Sequence, residues 1–321
     1  MVSERRVIID TDGEFDDVLA LVLALRSSEV ELEAVTTVSG VRPLEYVTSD
    51  VLNTLEFMGR DDVPVAMGFR QHMSRDMTST WDRINRIWLS AGRPSTAPIR
   101  EPRIKPVAVD AVEMLVSKVL RSPGEITLVT LGALTNIAAA ILREPDFAEN
   151  VKECYTMGGA VLVQGNMTPV AEFNIWGDPE AARIYFNSGM EITLVGLEVY
   201  YKARFNRFEW DVVRNSNKTN QYFFDNFAPW IDYLGAKDPS QEGNLEIGDA
   251  LTVGALVRPG LFEKKRCFVD VETKGELTFG QTVGYGLSPQ TPPPPKKPNT
   301  LLCVDMDVEG FRKMFLERVA K

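Results

Sequence analysis

Near its amino terminus the chain reads Val7-Ile8-Ile9-Asp10-Thr11-Asp12-Gly13-Glu14-Phe15-Asp16-Asp17. In it an apolar run is followed by four aspartates within eight residues. Residues 6–9 predict a buried strand, and the residues from Asp16 onward predict a helix, because apolar side chains then recur at helical spacing. The acids therefore lie at a strand-to-helix turn, at the carboxyl edge of a predicted parallel sheet, where open α/β sheets bind their ligands.

Four carboxylates this close to one another repel, so some of them stay protonated unless a cation neutralises them. Hard oxygen ligands suit Ca²⁺ or Mg²⁺ better than zinc or copper. The alternative is that Asp16 and Asp17 cap the helix, while Asp10 and Asp12 are solvated turn residues. Capping accounts for two of the acids and not for all four, which favours the cation site.

The composition of the chain is that of an ordinary globular protein. Its 321 residues are 44% hydrophobic and 25% charged, which suits one large α/β unit, and we predict a single domain over residues 1–321. The net charge of -10 argues against a nucleic-acid partner. The start of the chain is too short and polar for a signal peptide, and no apolar run suits a membrane span, which predicts a cytoplasmic protein.

The cysteines and the one histidine offer little chemistry. Cys154, Cys267 and Cys303 lack the spacing of a zinc site or a disulfide framework, so each is expected to be a small buried side chain. His72 lies in a polar stretch and is expected on the surface. A general base is therefore expected to be a carboxylate.

The rest of the chain alternates between strand and helix patterns, which predicts an α/β fold with a doubly wound, mostly parallel sheet flanked by helices. Predicted strands cover residues 31–38, 63–67, 126–131, 151–157, 192–197, 267–272, 277–283 and 301–304. Predicted helices cover residues 43–58, 108–120, 135–143, 178–188 and 309–320, and residues 205–257 look helical apart from a polar connection. The polar segment 69–107, which contains Trp81, predicts a lid or pocket wall with a short helix around residues 81–90.

Two further polar clusters are candidates for a binding site. Gly165-Asn166 and Ala171-Glu172-Phe173-Asn174 combine amides with a carboxylate, which can bind the vicinal hydroxyls of a sugar; the alternative is that they are turn and cap residues. Asp178, followed by Pro179, is expected to cap a helix. Asp249 looks like a helix cap as well, and it gains meaning only if the fold returns it to the first acids.

These motifs together resemble the inosine-uridine nucleoside hydrolases. The segments that carry the resemblance are residues 10–17 for the amino-terminal aspartate signature, Leu131-Gly132-Ala133-Leu134-Thr135-Asn136-Ile137-Ala138 for the TG-x-LTN-A segment, Met157-Gly158-Gly159-Ala160, Gly165-Asn166 and Ala171-Glu172-Phe173-Asn174 for the ribose segment, and Asp249-Ala250 for the late aspartate. They follow one another in the order of the family and span nearly the whole chain.

The resemblance implies calcium-dependent hydrolysis of the N-glycosidic bond of ribonucleosides, which releases a base and ribose. It implies one Ca²⁺ held by the side chains of Asp12, Asp17 and Asp249 and by the main-chain carbonyl of Leu131. Asp12 would also be the general base, and Asp10 would support the metal ligands from behind. The resemblance also implies a homodimer or homotetramer, because members of this family are commonly dimers or tetramers.

The resemblance also implies the contacts to the substrate. Asp16 and Asn174 would bind the 2′ and 3′ hydroxyls of the ribose, and Asn166 and Glu172 would bind its 5′ side. Trp81 lies where purine-preferring members carry a stacking tryptophan, and an exposed or core-packed ring is the alternative. On this basis purine nucleosides are the expected substrates.

Three positions depart from the pattern of the family. Gly13-Glu14 replaces the usual Pro-Gly, as in the purine-preferring branch. Gly40 is followed by Val41, where many members carry an asparagine. Gly248 stands where some members have the histidine that protonates the leaving base, so protonation by histidine is not expected here.

Two alternatives to a nucleoside hydrolase follow from the same residues. Residues 10–13 also resemble the opening of haloacid dehalogenase-type phosphatases, with Asp10 as nucleophile and Mg²⁺ as cofactor, but residues 16–17 then have no role. A non-catalytic nucleoside- or ribose-binding protein of the same fold is consistent with Val41 and Gly248.

Overall fold

The computed structural model describes residues 4–40, 42–71, 100–225, 245–290 and 296–320, together with Met73, Asp82, Arg86, Leu89 and Pro293. Its strands are β1 (Arg5–Thr11), β2 (Val30–Thr37), β3 (Val65–Met67), β4 (Ile126–Thr130), β5 (Glu153–Met157), β6 (Ile192–Val195), β7 (Arg204–Phe205), β8 (Leu245–Glu246), β9 (Phe262–Val271), β10 (Thr282–Tyr285) and β11 (Thr300–Met306). Its helices are α1 (Phe15–Leu25), α2 (Leu44–Phe57), α3 (Ala111–Arg121), α4 (Thr135–Arg143), α5 (Phe147–Asn150), α6 (Phe173–Gly177), α7 (Pro179–Phe186), α8 (Leu197–Tyr200), α9 (Arg207–Ser216), α10 (Gly248–Val257) and α11 (Val308–Val319).

The large sheet has the strand order β10-β9-β11-β6-β5-β4-β1-β2-β3. Its strands from β11 to β3 pair in parallel, whereas β9 pairs antiparallel with both β11 and β10. β7 and β8 form a separate antiparallel ladder of two strands. The predicted mostly parallel sheet flanked by helices is therefore confirmed.

Alternate residues of β1 face two different apolar layers, as the pleat of a strand requires. Val7 and Ile9 pack in the layer that contains α1 and α10, and Ile8 packs in the layer that contains α4 and α7. Helices on both faces bury this strand from Val7 onward, which explains why it reads as a continuous apolar run after Arg6. The acids that follow are thereby placed at the carboxyl edge of the sheet.

The late strands and the stretch before them differ from the prediction. Residues 277–283 were expected to form one strand, but β10 begins only at Thr282, and Gly280 donates its N–H to the carbonyl of Glu272 at 2.8 Å across a turn. Leu277 on this turn is 87% exposed, so its apolar character marks no buried strand. The ladder of β7 and β8 was not predicted: β7 lies at the start of the stretch that looked helical, and β8 lies in its polar connection.

Several local predictions are confirmed. The carboxylate of Asp178 accepts the N–H of Ala181 at 3.1 Å, with Pro179 at the first position of α7. All three cysteines are buried. In the part of the chain that the structure describes, no helix combines the length and the apolar character needed to cross a membrane. The lid predicted for residues 69–107 and the surface position of His72 lie largely outside the described residues.

Candidate active site

The turn between β1 and α1 is fixed by hydrogen bonds that converge on one buried carboxylate. The Thr11 hydroxyl and the Glu14 main-chain N–H both donate to Asp17, the latter at 3.0 Å, and Gly13 donates its N–H to the Thr11 hydroxyl at 3.1 Å. Gly13 has a φ of 64°, which proline cannot adopt. The exchange of the family's Pro-Gly for Gly-Glu therefore changes the backbone at the site as well as its side chains.

Three carboxylates from the two ends of the chain meet beyond this turn. Asp16, Asp17 and Asp249 each offer an oxygen, and these oxygens lie within 4.8 Å of one another. Asp249 lies in the first turn of α10, whose cap is Ile247, so Asp249 is not the helix cap that its local sequence suggested. The fold instead brings Asp249 next to Asp16 and Asp17, as a functional role for Asp249 requires.

The charges of this cluster are costly without a partner of opposite sign. Burial, together with the neighbouring Asp17, raises the pKa of Asp16 from 3.8 to about 7. Burial also raises the pKa of Asp17, and burial with the charges of Asp16 and Asp17 raises that of Asp249 well above its ordinary value. Asp249 Oδ1 is buried and has no hydrogen-bond partner among the described residues. An oxygen-only set of this kind fits Ca²⁺ or Mg²⁺.

Asp12 lies beside this cluster, packed against two glycines. It is 3% exposed, and its side chain is one of the neighbours that lower the pKa of Asp17 against the effect of burial. A Cβ atom on Gly40 would lie 1.9 Å from Asp12 Oδ2, and one on Gly132 would lie 3.0 Å from Asp12 Cβ. The described cluster contains Asp16 where the resemblance implied Asp12, so the assignment of Asp12 as a metal ligand stays a prediction.

The Asp10 carboxylate accepts hydrogen bonds from one residue of β2 and one residue of α4. Its Oδ1 accepts hydrogen bonds from the Thr36 hydroxyl at 2.5 Å and from Asn136 Nδ2 at 2.7 Å. The same Asn136 amide donates to the Thr37 carbonyl at 3.0 Å, and its Oδ1 accepts the N–H of Phe69. Burial raises the pKa of Asp10 to about 7 despite these donors. These contacts fix the carboxylate of Asp10 in place, and its predicted role in supporting the metal ligands stays a prediction.

Leu131 and Asn174 are brought together, although 43 residues separate them in the chain. Asn174 Nδ2 donates to the Leu131 carbonyl at 2.7 Å and lies 3.2 Å from the sulfur of Met157. A carbonyl oxygen has two lone pairs, so this hydrogen bond leaves Leu131 able to accept a second partner. Both predicted site residues therefore lie at the carboxyl edge of the sheet.

Glu172 and Asn166 make the contacts of cap and turn residues. The Glu172 carboxylate accepts the main-chain N–H groups of Gly159 at 2.8 Å, Asn174 at 2.9 Å and Ile175 at 3.2 Å, and it caps α6. Asn166 is exposed and accepts the N–H of Phe173. These contacts fit the alternative interpretation, and their predicted place on the 5′ side of the ribose stays a prediction. Trp81 and Val41 lie outside the described residues.

Four residues near the acids were given no role in the sequence analysis, although two of them stand in the segments that carry the resemblance: Thr36, Asn136, Met157 and Tyr200. Each lies in the last residues of a parallel strand or in the helix that follows one. That position is the signal by which they could have been found, because such residues all reach the same edge of the sheet.

The sequence pattern of the family described as "Inosine-uridine preferring nucleoside hydrolase" matches residues 7–313. The chain belongs to this family. This nucleoside hydrolase is 36% identical over 319 residues to the pyrimidine-specific ribonucleoside hydrolase RihA of Enterobacter sp. (strain 638), which covers 98% of this chain and 97% of the relative. It is therefore an N-glycosyl hydrolase, and the phosphatase alternative is excluded.

Solved structures agree with the sequence match. The plant nucleoside hydrolase PpNRh1 superposes on this hydrolase with a TM-score of 0.85 at 31% identity, over 98% of this chain and 99% of the other. The purine-preferring ribonucleoside hydrolase from Gardnerella vaginalis gives a TM-score of 0.85 at 26% identity, over 98% of both chains. The fold of the family is thus present over nearly the full length.

The raised pKa of Asp16 predicts how the stability of the metal-free protein responds to pH. Between 3.8 and about 7 the folded state holds a proton that the unfolded chain has lost, so this contribution to stability is complete below about pH 4 and is lost as the pH rises through about 7. In chelator, the melting temperature of the wild type should fall between about pH 5 and 7.5 more steeply than that of Asp16→Asn.

Thermal unfolding followed by circular dichroism measures this slope. Asp211→Asn, at an exposed position of α9, is the control and should keep the slope of the wild type. Equal slopes for the wild type and Asp16→Asn would show that Asp16 does not titrate in this range.

Proposed function

We propose that this protein hydrolyses the N-glycosidic bond of ribonucleosides in a reaction that depends on Ca²⁺. The observation that carries the proposal is the cluster of Asp16, Asp17 and Asp249, of which the last two are buried and in which Asp249 Oδ1 has no hydrogen-bond partner among the described residues. Carboxylates from a strand-to-helix turn and from a distant helix would hold the ion, together with the carbonyl of Leu131. Bound there, calcium supplies positive charge that orients vicinal hydroxyls and lowers the pKa of the attacking water.

The residues of the chain supply the remaining chemistry. The Asp12 carboxylate, held between Gly40 and Gly132, takes the proton from the attacking water. Asn174, whose amide nitrogen is anchored on the Leu131 carbonyl, orients a ribose hydroxyl. The acids stabilise the positive charge that develops on the ribosyl carbon as the bond to the base lengthens. The products are free ribose and the base.

The preferred base has two candidates. RihA, at 36% identity, is named a pyrimidine-specific enzyme, which supports uridine and cytidine as the better substrates of this chain. The purine preference predicted from the sequence is the second candidate. It is supported by Gly13-Glu14 with its left-handed Gly13 and by the likeness to the purine-preferring Gardnerella enzyme, whereas Trp81 lies outside the described residues.

Release of ribose from a panel of uridine, cytidine, inosine, adenosine and guanosine tests this proposal. We expect ribose from the pyrimidine nucleosides, loss of the reaction in chelator, and recovery when Ca²⁺ is added back. Faster release from inosine or guanosine would establish the purine preference instead. Nucleoside binding without ribose release, in the presence of Ca²⁺, would favour the non-catalytic alternative.

We also propose that residues 1–321 act as one unit. This proposal is supported by the large sheet, which includes both the first strand, β1, and the last strand, β11, of the described residues. The homodimer or homotetramer implied by the resemblance stays a prediction, which the molar mass from light scattering would test.

A further inference from the structure

Gly248 opens α10 directly before Asp249, and the space above it is already filled. A Cβ atom built on Gly248 would lie 2.6 Å from Cδ2 and 2.9 Å from Cε2 of Tyr200, and 2.7 Å from Cε of Met157. A phenol ring is rigid, so it cannot relieve this overlap by a local bend, as the end of a flexible side chain can, and the whole ring has to move. Any side chain at position 248 would therefore displace the ring of Tyr200.

The fold itself holds the ring on this glycine. Tyr200 ends α8, and β7 follows it at Arg204, while β8 ends at Glu246 shortly before Gly248. β7 and β8 pair antiparallel with Arg204 opposite Glu246, and Arg204 Nε lies 2.9 Å from Glu246 Oε1. The segments that carry Tyr200 and Gly248 are thus tied together within a few residues of both positions.

The ring lies against Gly248, next to Asp249, and close enough to the acids of the site to feel their charge. Tyr200 is half-buried, and burial together with the charges of Asp16, Glu246 and Asp249 raises the pKa of its hydroxyl. Met157, whose Cε would also meet a Cβ atom on Gly248, has its sulfur 3.2 Å from the amide nitrogen of Asn174. Tyr200 consequently places an aromatic surface next to the polar groups to which the ribose is assigned.

We propose that Tyr200 is a specificity-determining residue whose ring contacts the nucleobase, and that Gly248 leaves the room this ring needs. The inference rests on the proposed function. Carboxylates and an amide suit the hydroxyls of ribose, whereas the base is the planar aromatic part of a nucleoside and packs favourably against a ring. The ring occupies the space into which a side chain at position 248 would point. From there it selects among bases by their shape and by how well they stack on it.

The experiment compares Tyr200→Leu, which keeps apolar volume without an aromatic face, with Tyr200→Phe, which keeps the ring. The readouts are kcat/KM for uridine, cytidine, inosine and adenosine, and the inhibition constant of free ribose. Tyr200→Leu should lower kcat/KM for the best nucleoside about tenfold and lower the ratio of the best to the poorest. Ribose inhibition should stay within about twofold, and Tyr200→Phe should keep the wild-type ratio within about twofold.

Tyr201→Leu is the matched control, because the ring of Tyr201 contacts that of Tyr200 at 5.2 Å but is 38% exposed. It should leave the ratio between nucleosides unchanged. An equal loss on every nucleoside, accompanied by weaker ribose inhibition, would overturn the proposal, since Tyr200 would then position the ribose or support the fold. A ratio lost equally in Tyr200→Phe would also overturn the role of the ring.

Gly248→Ala gives an independent test through coupling. Because its methyl group displaces the ring, it should change the ratio between nucleosides as Tyr200→Leu does, and the double variant should be no worse than either single one. Additive effects would contradict the proposal. If the wild-type protein releases ribose from no nucleoside, the proposed function fails, an outcome distinct from a wild type that works and variants that keep its ratios.

Discussion

Asp249→Asn is expected to lower kcat by about 10³-fold, the scale on which removal of one electrostatic stabiliser acts, and to abolish the rise in melting temperature that Ca²⁺ produces. The substitution keeps the shape of the side chain and removes one charged oxygen from the buried cluster with Asp16 and Asp17. It also removes like-charge repulsion, so the variant in chelator should be at least as stable as the wild type in chelator. Activity and metal-free stability then move in opposite directions.

Thermal unfolding with and without Ca²⁺, beside ribose release, measures both effects. Asp178→Ala is the control, because Asp178 is also a buried aspartate but caps α7 and accepts the Thr135 hydroxyl at 2.7 Å. Its loss should lower stability by about 1 kcal/mol or more and leave the calcium-dependent rise intact. An Asp249→Asn protein that still gains stability from Ca²⁺ would show that Asp249 is no ligand.

Asp12→Asn is expected to lower kcat by about 10³-fold to 10⁴-fold, with a much smaller change in KM, because an amide cannot take the proton of the attacking water. If the ion is held by the described cluster of Asp16, Asp17 and Asp249, a rise in melting temperature with Ca²⁺ should persist in this variant, and its loss would support Asp12 as a ligand. Pre-steady-state measurement of base release separates the chemical step from binding. Activity within about tenfold of the wild type would exclude Asp12 as the base.

Gly40→Ala tests the position of this base without changing its chemistry. The added Cβ would lie 1.9 Å from Asp12 Oδ2, so the carboxylate must move. A displacement of this order costs about 10²-fold in rate, and we expect the loss in kcat. Gly59→Ala, at a position with nothing within 4 Å of the added atom, is a control for the rate, although its φ of 66° predicts some loss of stability.

The local parts of the fold were predictable from the sequence. Helix α4 has the bounds Thr135–Arg143 that its apolar spacing predicts, and Asp178-Pro179 begins α7 as expected. The turn at Leu277 and the ladder of β7 and β8 were not, because a two-residue strand has no periodicity and an apolar residue on a turn looks like a strand residue. Such features depend on partners elsewhere in the chain.

The site residues also divide into those that the local sequence predicts and those that depend on distant partners. The four aspartates of residues 10–17 were evident because they lie within eight residues of one another, but the sequence could not say which of them meet Asp249. The contact of Asn136 with Asp10 spans 126 residues and that of Tyr200 with Gly248 spans 48, and neither pair carries a local signal. Glu172 shows the converse, since its local sequence suited ribose binding while its oxygens accept main-chain N–H groups.

The place of β11 in the sheet has a consequence for the chain during its synthesis on the ribosome. β6 pairs with β5 on one side and with β11 on the other, and β9 reaches the parallel strands only through β11. Until residues 300–306 have emerged, the nascent protein holds an open parallel edge at β6 and a hairpin of β9 and β10 with no sheet to join. Stalled or truncated products that end before Thr300 are therefore the species most prone to edge-to-edge aggregation.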